Sequence, residues 1–257
     1  MNAIQHLFAR KQKNILNVYF TAGYPRVEST ERLLKSLQKS GVDLIEVGIP
    51  YSDPLADGPT IQKSSQKALN NGMTISRLFS QLKAVKEEIN TPLIIMAYYN
   101  QFLSFGQERF LQTCIKTGVS GLILADLPPE IYRTKYQTLF EDYGIFPIFL
   151  VTPRTPDERI KMLSEVSRGF LYLVSSTSTT GVKTIFGTDQ IVFFKRVKDL
   201  DLKIPKLIGF GISNKSTFEL ACRYAEGAII GSAFINALDE NRLEESIEDF
   251  IKTIRLN

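Results

Sequence analysis

Residues 41–59 read GVDLIEVGIPYSDPLADGP, and this stretch decides how the chain is to be folded. Residues 44–49 form a short run that is apolar on both faces, as a parallel strand covered by helices should be. Glu46 stands in the middle of that run. Pro50 ends it and opens a loop that carries Asp53 and Asp57. A carboxylate placed inside an apolar strand is costly unless it is paired, hydrogen-bonded or protonated, so its presence calls for a reason. A structural acid that caps backbone amides would serve, and so would a proton carrier in a reaction. The strand alone leaves both open.

Seven further runs resemble it, at residues 15–20, 93–99, 121–126, 146–151, 170–175, 206–210 and 227–230. Between them lie segments with helical spacing. Leu33, Leu34 and Leu37 make one apolar stripe; Phe110, Leu111, Cys114 and Ile115 make another. Leu243, Ile247, Phe250, Ile251 and Ile254 make a third. Gly41, Gly72, Gly118 and Gly144 fall just past helical stretches, where a left-handed cap is wanted. Eight strand-then-helix units without a break in composition predict an α/β fold, a single (β/α)8 TIM barrel spanning residues 1–257 as one domain. Residues 2–12, with Ile4, Leu7 and Phe8 on one side, predict an extra N-terminal helix. A doubly wound open sheet is the competing architecture, but it would not usually give eight evenly spaced repeats. The longest irregular pieces follow the second strand (50–60) and the sixth (176–189). In a barrel both lie on the C-terminal face, where active sites are built.

Composition narrows the function. Hydrophobic residues at 44% and charged residues at 23% describe a soluble globular protein, and the net charge of +4 comes without a dense basic block. Nucleic-acid binding has little support, and the small basic excess suits an anionic metabolite. No apolar run approaches a membrane span, and the N-terminus lacks the apolar core of a signal peptide, so a cytoplasmic location is expected. Cys114 and Cys222 show no metal spacing and fit a reducing compartment. The single His6 lies far from any motif.

A second signal sits at the end of the chain. Gly209-Phe210-Gly211-Ile212-Ser213 follows the seventh strand, and Gly231-Ser232-Ala233 follows the eighth. Glycines at these two strand ends let backbone amides approach a phosphate, and a short helix after the eighth would point its positive end there. A tight turn made by small residues is the plainer explanation of either pair alone; the two together favour phosphate. No lysine is placed in a strand as a Schiff-base former; Lys206 is at the wrong end of its run. No His/Asp/Glu cluster has metal spacing. Acid–base chemistry by carboxylates, without metal or cofactor, remains.

The stretch LIEVGIPYSDPLADGPTIQ closely resembles the signature of the tryptophan synthase alpha subunit family. The resemblance extends to YFTAGYP (19–25), ILADLPPE (123–130), PIFLVTP (147–153), IGFGIS (208–213) and IIGSAF (229–234). It implies retro-aldol cleavage of indole-3-glycerol phosphate to indole and glyceraldehyde 3-phosphate, with indole passed to a β subunit in an αββα heterotetramer. By the same resemblance, Glu46 is the general acid–base, and Asp57 hydrogen-bonds the indole N–H and stabilises the cationic intermediate. Tyr172 is an active-site tyrosine. Gly181, Gly211, Gly231 and Ser232 bind phosphate. Tyr19, Met96, Ala125, Leu150 and Phe210 line the indole pocket, although ordinary barrel packing would account for each of them singly. Asp53, Pro54, Asn100 and Pro128 face the β subunit. Burial in a strand would raise the Glu46 pKa toward neutrality, while Asp57, on a more solvated loop, is expected to stay ionised.

Two positions depart from the family pattern. The loop after the sixth strand reads Ser176-Thr177-Ser178-Thr179-Thr180-Gly181, with Ser178 where a glycine is usual. In the family this loop closes over substrate and its threonine, here Thr180, meets the strand-2-loop aspartate. A serine there costs about 1 kcal/mol or more if the backbone needs a positive φ. Tyr24 replaces the aspartate of a Gly-Asp-Pro turn. Two readings follow: a working lyase that tolerates a variant loop, or a catalytically impaired α subunit kept as an allosteric activator of its β partner. The strand-2 motif speaks against other phosphate-binding barrels of tryptophan biosynthesis, such as indole-3-glycerol phosphate synthase.

Overall fold

The structure, a computed structural model, describes residues 1–175 and 186–255. Its strands are β1 (Ile15–Thr21), β2 (Leu44–Gly48), β3 (Leu93–Ala97), β4 (Val119–Leu124), β5 (Phe146–Pro147), β6 (Phe149–Val151), β7 (Leu171–Val174), β8 (Lys206–Gly209) and β9 (Gly227–Ile230). All pair in parallel, in the order β5-β4-β3-β2-β1-β9-β8-β7-β6. The two ends of this sheet, β5 and β6, are one extended stretch interrupted at Ile148. Across the interruption Ile148 N–H donates to the Leu122 carbonyl at 3.1 Å, and Arg168 N–H donates to the Pro147 carbonyl at 3.2 Å. The ring is thereby nearly closed. The continuous fifth strand expected at 146–151 is broken because Pro147 has no N–H to give to the ladder.

Side chains alternate along each strand between two apolar layers. Leu16, Val18 and Phe20 of β1 point outward and pack with Leu33, Leu34 and Leu37 of the helix Ser29–Lys39. The opposite parity fills the lumen: Ile15, Leu44, Ile94, Ile123, Ile148, Phe170, Leu207 and Ile229 meet there. Ile4 and Leu7 of α1 (Ala3–Arg10) join this inner cluster, so α1 plugs the N-terminal end of the barrel. The plug is fastened at the residue that caps it. The Asn2 side chain accepts from Ile4 N–H at 2.9 Å, and its Nδ2 donates to the carbonyls of Ser120 and Gly144 at 2.8 and 2.9 Å. Gly121 makes room for it, since a Cβ there would come within 2.7 Å of Ile4 Cδ1.

Helix ends follow the sequence: Gly41, Gly72, Gly118 and Gly144 carry φ of +76°, +81°, +80° and +64°. Ile115 departs from its predicted stripe; it is exposed, while Phe110, Leu111 and Cys114 are buried. Both cysteines are free and buried, and Lys206 lies at the closed end beside Glu226 at 3.6 Å. No described helix is long and apolar enough to cross a membrane.

Candidate active site

The plug closes one end of the lumen, so the open end is the one formed by the C-terminal ends of the strands. Glu46 is the third residue of β2 and has inward parity, in register with Tyr19 of β1 and Ile94 of β3. It is fully buried. Its Oε2 accepts from Asn17 Nδ2 at 2.9 Å, while Oε1 has no hydrogen-bond partner among the described residues. Burial pushes its pKa up to about 8; the Asn17 hydrogen bond opposes this and the Asp57 charge adds to it.

Asp57 comes from the loop between β2 and the helix α2 (Pro59–Asn70). It is only 5% exposed, so the solvated carboxylate expected from its loop position is in fact enclosed. The cause is a roof of two tyrosines. Tyr98, just past β3, donates its hydroxyl to Asp57 Oδ2 at 3.0 Å and accepts from Ala56 N–H at 3.0 Å. Tyr51 stacks on Tyr98 with ring centroids 4.9 Å apart. The loop is braced below by Gln62 Nε2, which donates to the Asp57 carbonyl at 2.9 Å. Burial raises the Asp57 pKa to about 6, against the Tyr98 hydrogen bond. At neutral pH the pair therefore divides its roles: Glu46 is mostly protonated and Asp57 mostly ionised.

Tyr19 and Tyr172 are buried in the same lumen. Each ring lies across a glycine of the neighbouring strand, Tyr19 over Gly48 and Tyr172 over Gly209, and a Cβ at either glycine would overlap the tyrosine. Burial holds both phenols protonated, with the Glu46 and Asp57 charges adding to the effect. Tyr172 meets Phe210 edge-on at 6.4 Å. Met96 on β3, Ala125 just past β4, Leu150 on β6 and Phe210 just past β8 are half-buried at inward positions. The structure thus brings Tyr19, Met96, Ala125, Leu150, Tyr172 and Phe210 around one mouth above Glu46.

After β8, Phe210 and Gly211 have φ of +64° and +78°. Glycine adopts this region freely; a phenylalanine there costs about 1–2 kcal/mol. The turn is held by Ser175, whose hydroxyl donates to the Phe210 carbonyl at 2.6 Å and accepts from Gln190 Nε2 at 3.1 Å. Gly231 precedes the short helix Ser232–Ala237 and lies against the Tyr19 ring. Gly211, Gly231 and Ser232 therefore sit on the same rim as the carboxylates. Thr180 and Gly181, with Ser178, lie outside the described residues.

Asp53, Asn100 and Pro128 are exposed and Pro54 half-buried. Asp53 and Pro54 lie on the loop after β2, Asn100 in the first turn of the helix Tyr99–Phe105 that follows β3, and Pro128 just past β4. These strands are neighbours, so the four residues share one sector of the rim. Asn100 Nδ2 donates to Tyr51 Oη at 3.4 Å, which joins that helix to the loop after β2. Leu55, 92% exposed, stands in the same sector.

Three residues that shape the site are not among those predicted from the sequence: Asn17, Tyr51 and Tyr98. Asn17 left a signal, a lone amide in the apolar run ILNVYFT. Tyr98 left none, because a tyrosine at the end of an apolar run reads as core.

The chain is an α/β barrel, plugged at one end and carrying two buried carboxylates, Glu46 and Asp57, toward the other. A family profile described as tryptophan synthase alpha chain matches residues 5–255. The tryptophan synthase alpha chain of Christiangramia forsetii is 53% identical over 255 residues, covering 99% of each chain. That of Karelsulcia muelleri is 55% identical over 254 residues, again covering 99% of each. A solved structure of tryptophan synthase subunit alpha from Legionella pneumophila matches with a TM-score of 0.88 at 29% identity, covering 99% of this chain and 97% of that one. The chain belongs to the tryptophan synthase alpha chain family.

Proposed function

We propose that this chain cleaves indole-3-glycerol phosphate to indole and glyceraldehyde 3-phosphate, working with a tryptophan synthase β subunit in an αββα assembly. The observation that carries the reading is the setting of the two carboxylates, Glu46 fully buried with a single hydrogen bond from Asn17 and Asp57 enclosed beneath Tyr98. Burial pushes Glu46 up to about 8 and Asp57 to about 6. Protonating an aromatic carbon needs an acid that still holds its proton near neutrality, and Glu46 is such an acid. It gives that proton to indole C3. Asp57, ionised, accepts the indole N–H and faces the positive charge that develops on the ring. The bond between C3 and the glycerol carbon then breaks as the adjacent hydroxyl loses its proton. That proton goes to the Glu46 carboxylate, so the acid is restored and the protons balance over one turnover.

Substrate positioning falls to the rest of the mouth. Tyr19, Met96, Ala125, Leu150, Tyr172 and Phe210 offer apolar and aromatic surface for an indole ring. Gly211, Gly231 and Ser232 offer backbone amides and a helix start for the phosphate, joined in this reading by Gly181. Thr180 would meet Asp57 over the bound substrate. Asp53, Pro54, Asn100 and Pro128 are assigned to β-subunit docking; their shared rim sector and the exposed Leu55 beside them support this. The experiment is indole release from indole-3-glycerol phosphate by the purified chain, alone and with β subunit. Turnover that rises with β and is abolished in Glu46→Gln supports the reading. Absence of turnover in the complex, with faster β-catalysed condensation of serine and indole, would replace it with the activator reading.

A further inference from the structure

Asn17 lies in the middle of β1, fully buried and with inward parity. Its register partner is Leu44, whereas Tyr19 is the partner of Glu46. Asn17 thus stands one inward position nearer the plugged end and reaches Glu46 from below, while substrate enters from above. Its Nδ2 donates to Glu46 Oε2 at 2.9 Å. Its Oδ1, like Glu46 Oε1, has no hydrogen-bond partner among the described residues. A residue that merely filled the lumen would be apolar, as Ile15, Ile94 and Ile123 are, because a buried amide left half-satisfied is destabilising.

Glu46, in the reading given above and on which this inference rests, is an acid and then a base within one turnover. The carboxylate can only accept, whereas the carboxyl keeps an accepting carbonyl oxygen and adds an O–H that needs an acceptor, which a donor-only side chain cannot supply. An amide carries a donor and an acceptor at equal reach and exchanges them by turning about its terminal torsion. Here the exchange breaks no other hydrogen bond: Oδ1 has none to lose, and Nδ2 would simply take its place. The titratable groups that face Glu46 are Asp57 from the β2 loop, Tyr19 from β1 and Tyr172 from β7, with Tyr98 behind Asp57. No cation among the described residues contributes. We propose that Asn17 is the positioning residue for Glu46, its amide donating to the carboxylate and, turned over, accepting from the carboxyl. Acid and base forms are then held in one place.

The test uses the full chain with β subunit and three variants: Asn17→Leu, which keeps the shape and removes both functions; Asn17→Asp, which keeps the acceptor and adds like charge; and Glu46→Gln. Indole release is followed against pH. In Asn17→Leu the loss of the donor destabilises the carboxylate, so the alkaline limb of kcat/KM moves up by about 1 pH unit. kcat falls ~10- to 100-fold through misplacement of Glu46. KM stays within about 2-fold, since Asn17 does not touch substrate. Asn17→Asp moves the limb further in the same direction. A readout that needs no Asn17 variant to fold is the infrared carbonyl band of protonated 13C-glutamate, taken as wild type minus Glu46→Gln. The wild-type band should lie where a hydrogen-bonded carboxyl absorbs. A limb that does not move in a folded Asn17→Leu, or a wild-type band at the free-carboxyl position, overturns the inference. Full activity in Glu46→Gln would instead overturn the reading of Glu46 itself.

Discussion

Replacing Glu46 by glutamine should make the protein more stable, and increasingly so as pH rises. The side chain is fully buried with one hydrogen bond, and its pKa is raised from 4.5 to about 8. Above pH 4.5 the unfolded chain has released this proton while the folded chain keeps it up to about 8. The folded state therefore binds more protons across that window, and stability falls as pH increases through it. At about 1.36 kcal/mol per unit, the shift corresponds to about 5 kcal/mol, an upper figure because local relaxation and water entry at the mouth reduce it. Glutamine keeps the shape and the Asn17 contact but never ionises. Asp57 is raised in the same direction, from 3.8 to about 6, but this is common to both proteins and cancels in the difference. Urea midpoints for the two proteins between pH 5 and 9 should diverge by roughly 1 kcal/mol per pH unit up to about pH 8, reaching about 2–5 kcal/mol, with equal slopes m. A difference that stays constant with pH, or a variant less stable at pH 8.5, would refute the picture of a buried, protonated acid. The cost carried by the wild type at alkaline pH is a stability sacrificed at a functional site.

Tyr98→Phe removes the donor to Asp57 and should raise the Asp57 pKa; the acidic limb of the kcat/KM profile should move up from about 6 by roughly 1 unit. A limb at its wild-type position would show that Tyr98 does not govern this group. Gly209→Ala places a methyl group against the Tyr172 ring and should lower stability by about 1–3 kcal/mol, measured by thermal or urea unfolding. A variant within error of wild type would mean that Tyr172 is free to move aside. Asp53→Ala, on the exposed rim, should weaken stimulation by the β subunit and leave the unfolding midpoint within about 0.5 kcal/mol of wild type. Unchanged stimulation would place the docking surface elsewhere.

The barrel was legible because every strand is covered on both sides and so appears as a short apolar run. Several of the apolar runs extend one or two residues past the strands at their C-terminal ends. Tyr98, Ala125 and Phe210 lie past the last ladder pair but remain apolar because they border the mouth, and Ile49 does so because it packs in the outer core layer. Glu46 announced itself as a charge in an apolar strand. Asp57 is legible as a loop acid but its setting is not, since nothing in a loop rich in proline and aspartate shows that Tyr51 and Tyr98 cover it. Asn17 was visible as an interruption in β1, yet its meaning depends on the β1–β2 register, which places it beneath Glu46. Register is a property of two strands, and neither strand contains it alone.

In the proposed reaction two buried carboxylates divide the work, Glu46 acting as the acid and Asp57 as the anion. The most direct test is the pH dependence of kcat/KM for indole release from indole-3-glycerol phosphate, with β subunit present, in wild type, Glu46→Gln and Asp57→Asn. In the proposed mechanism activity requires Asp57 ionised and Glu46 protonated, so the wild-type profile should be a bell that rises through about pH 6 and falls through about pH 8. Glu46→Gln should be inactive throughout, and Asp57→Asn should lose the limb near 6 along with most of the rate. A wild-type profile that climbs steadily through pH 8, or a Glu46→Gln enzyme that still releases indole, would contradict the account.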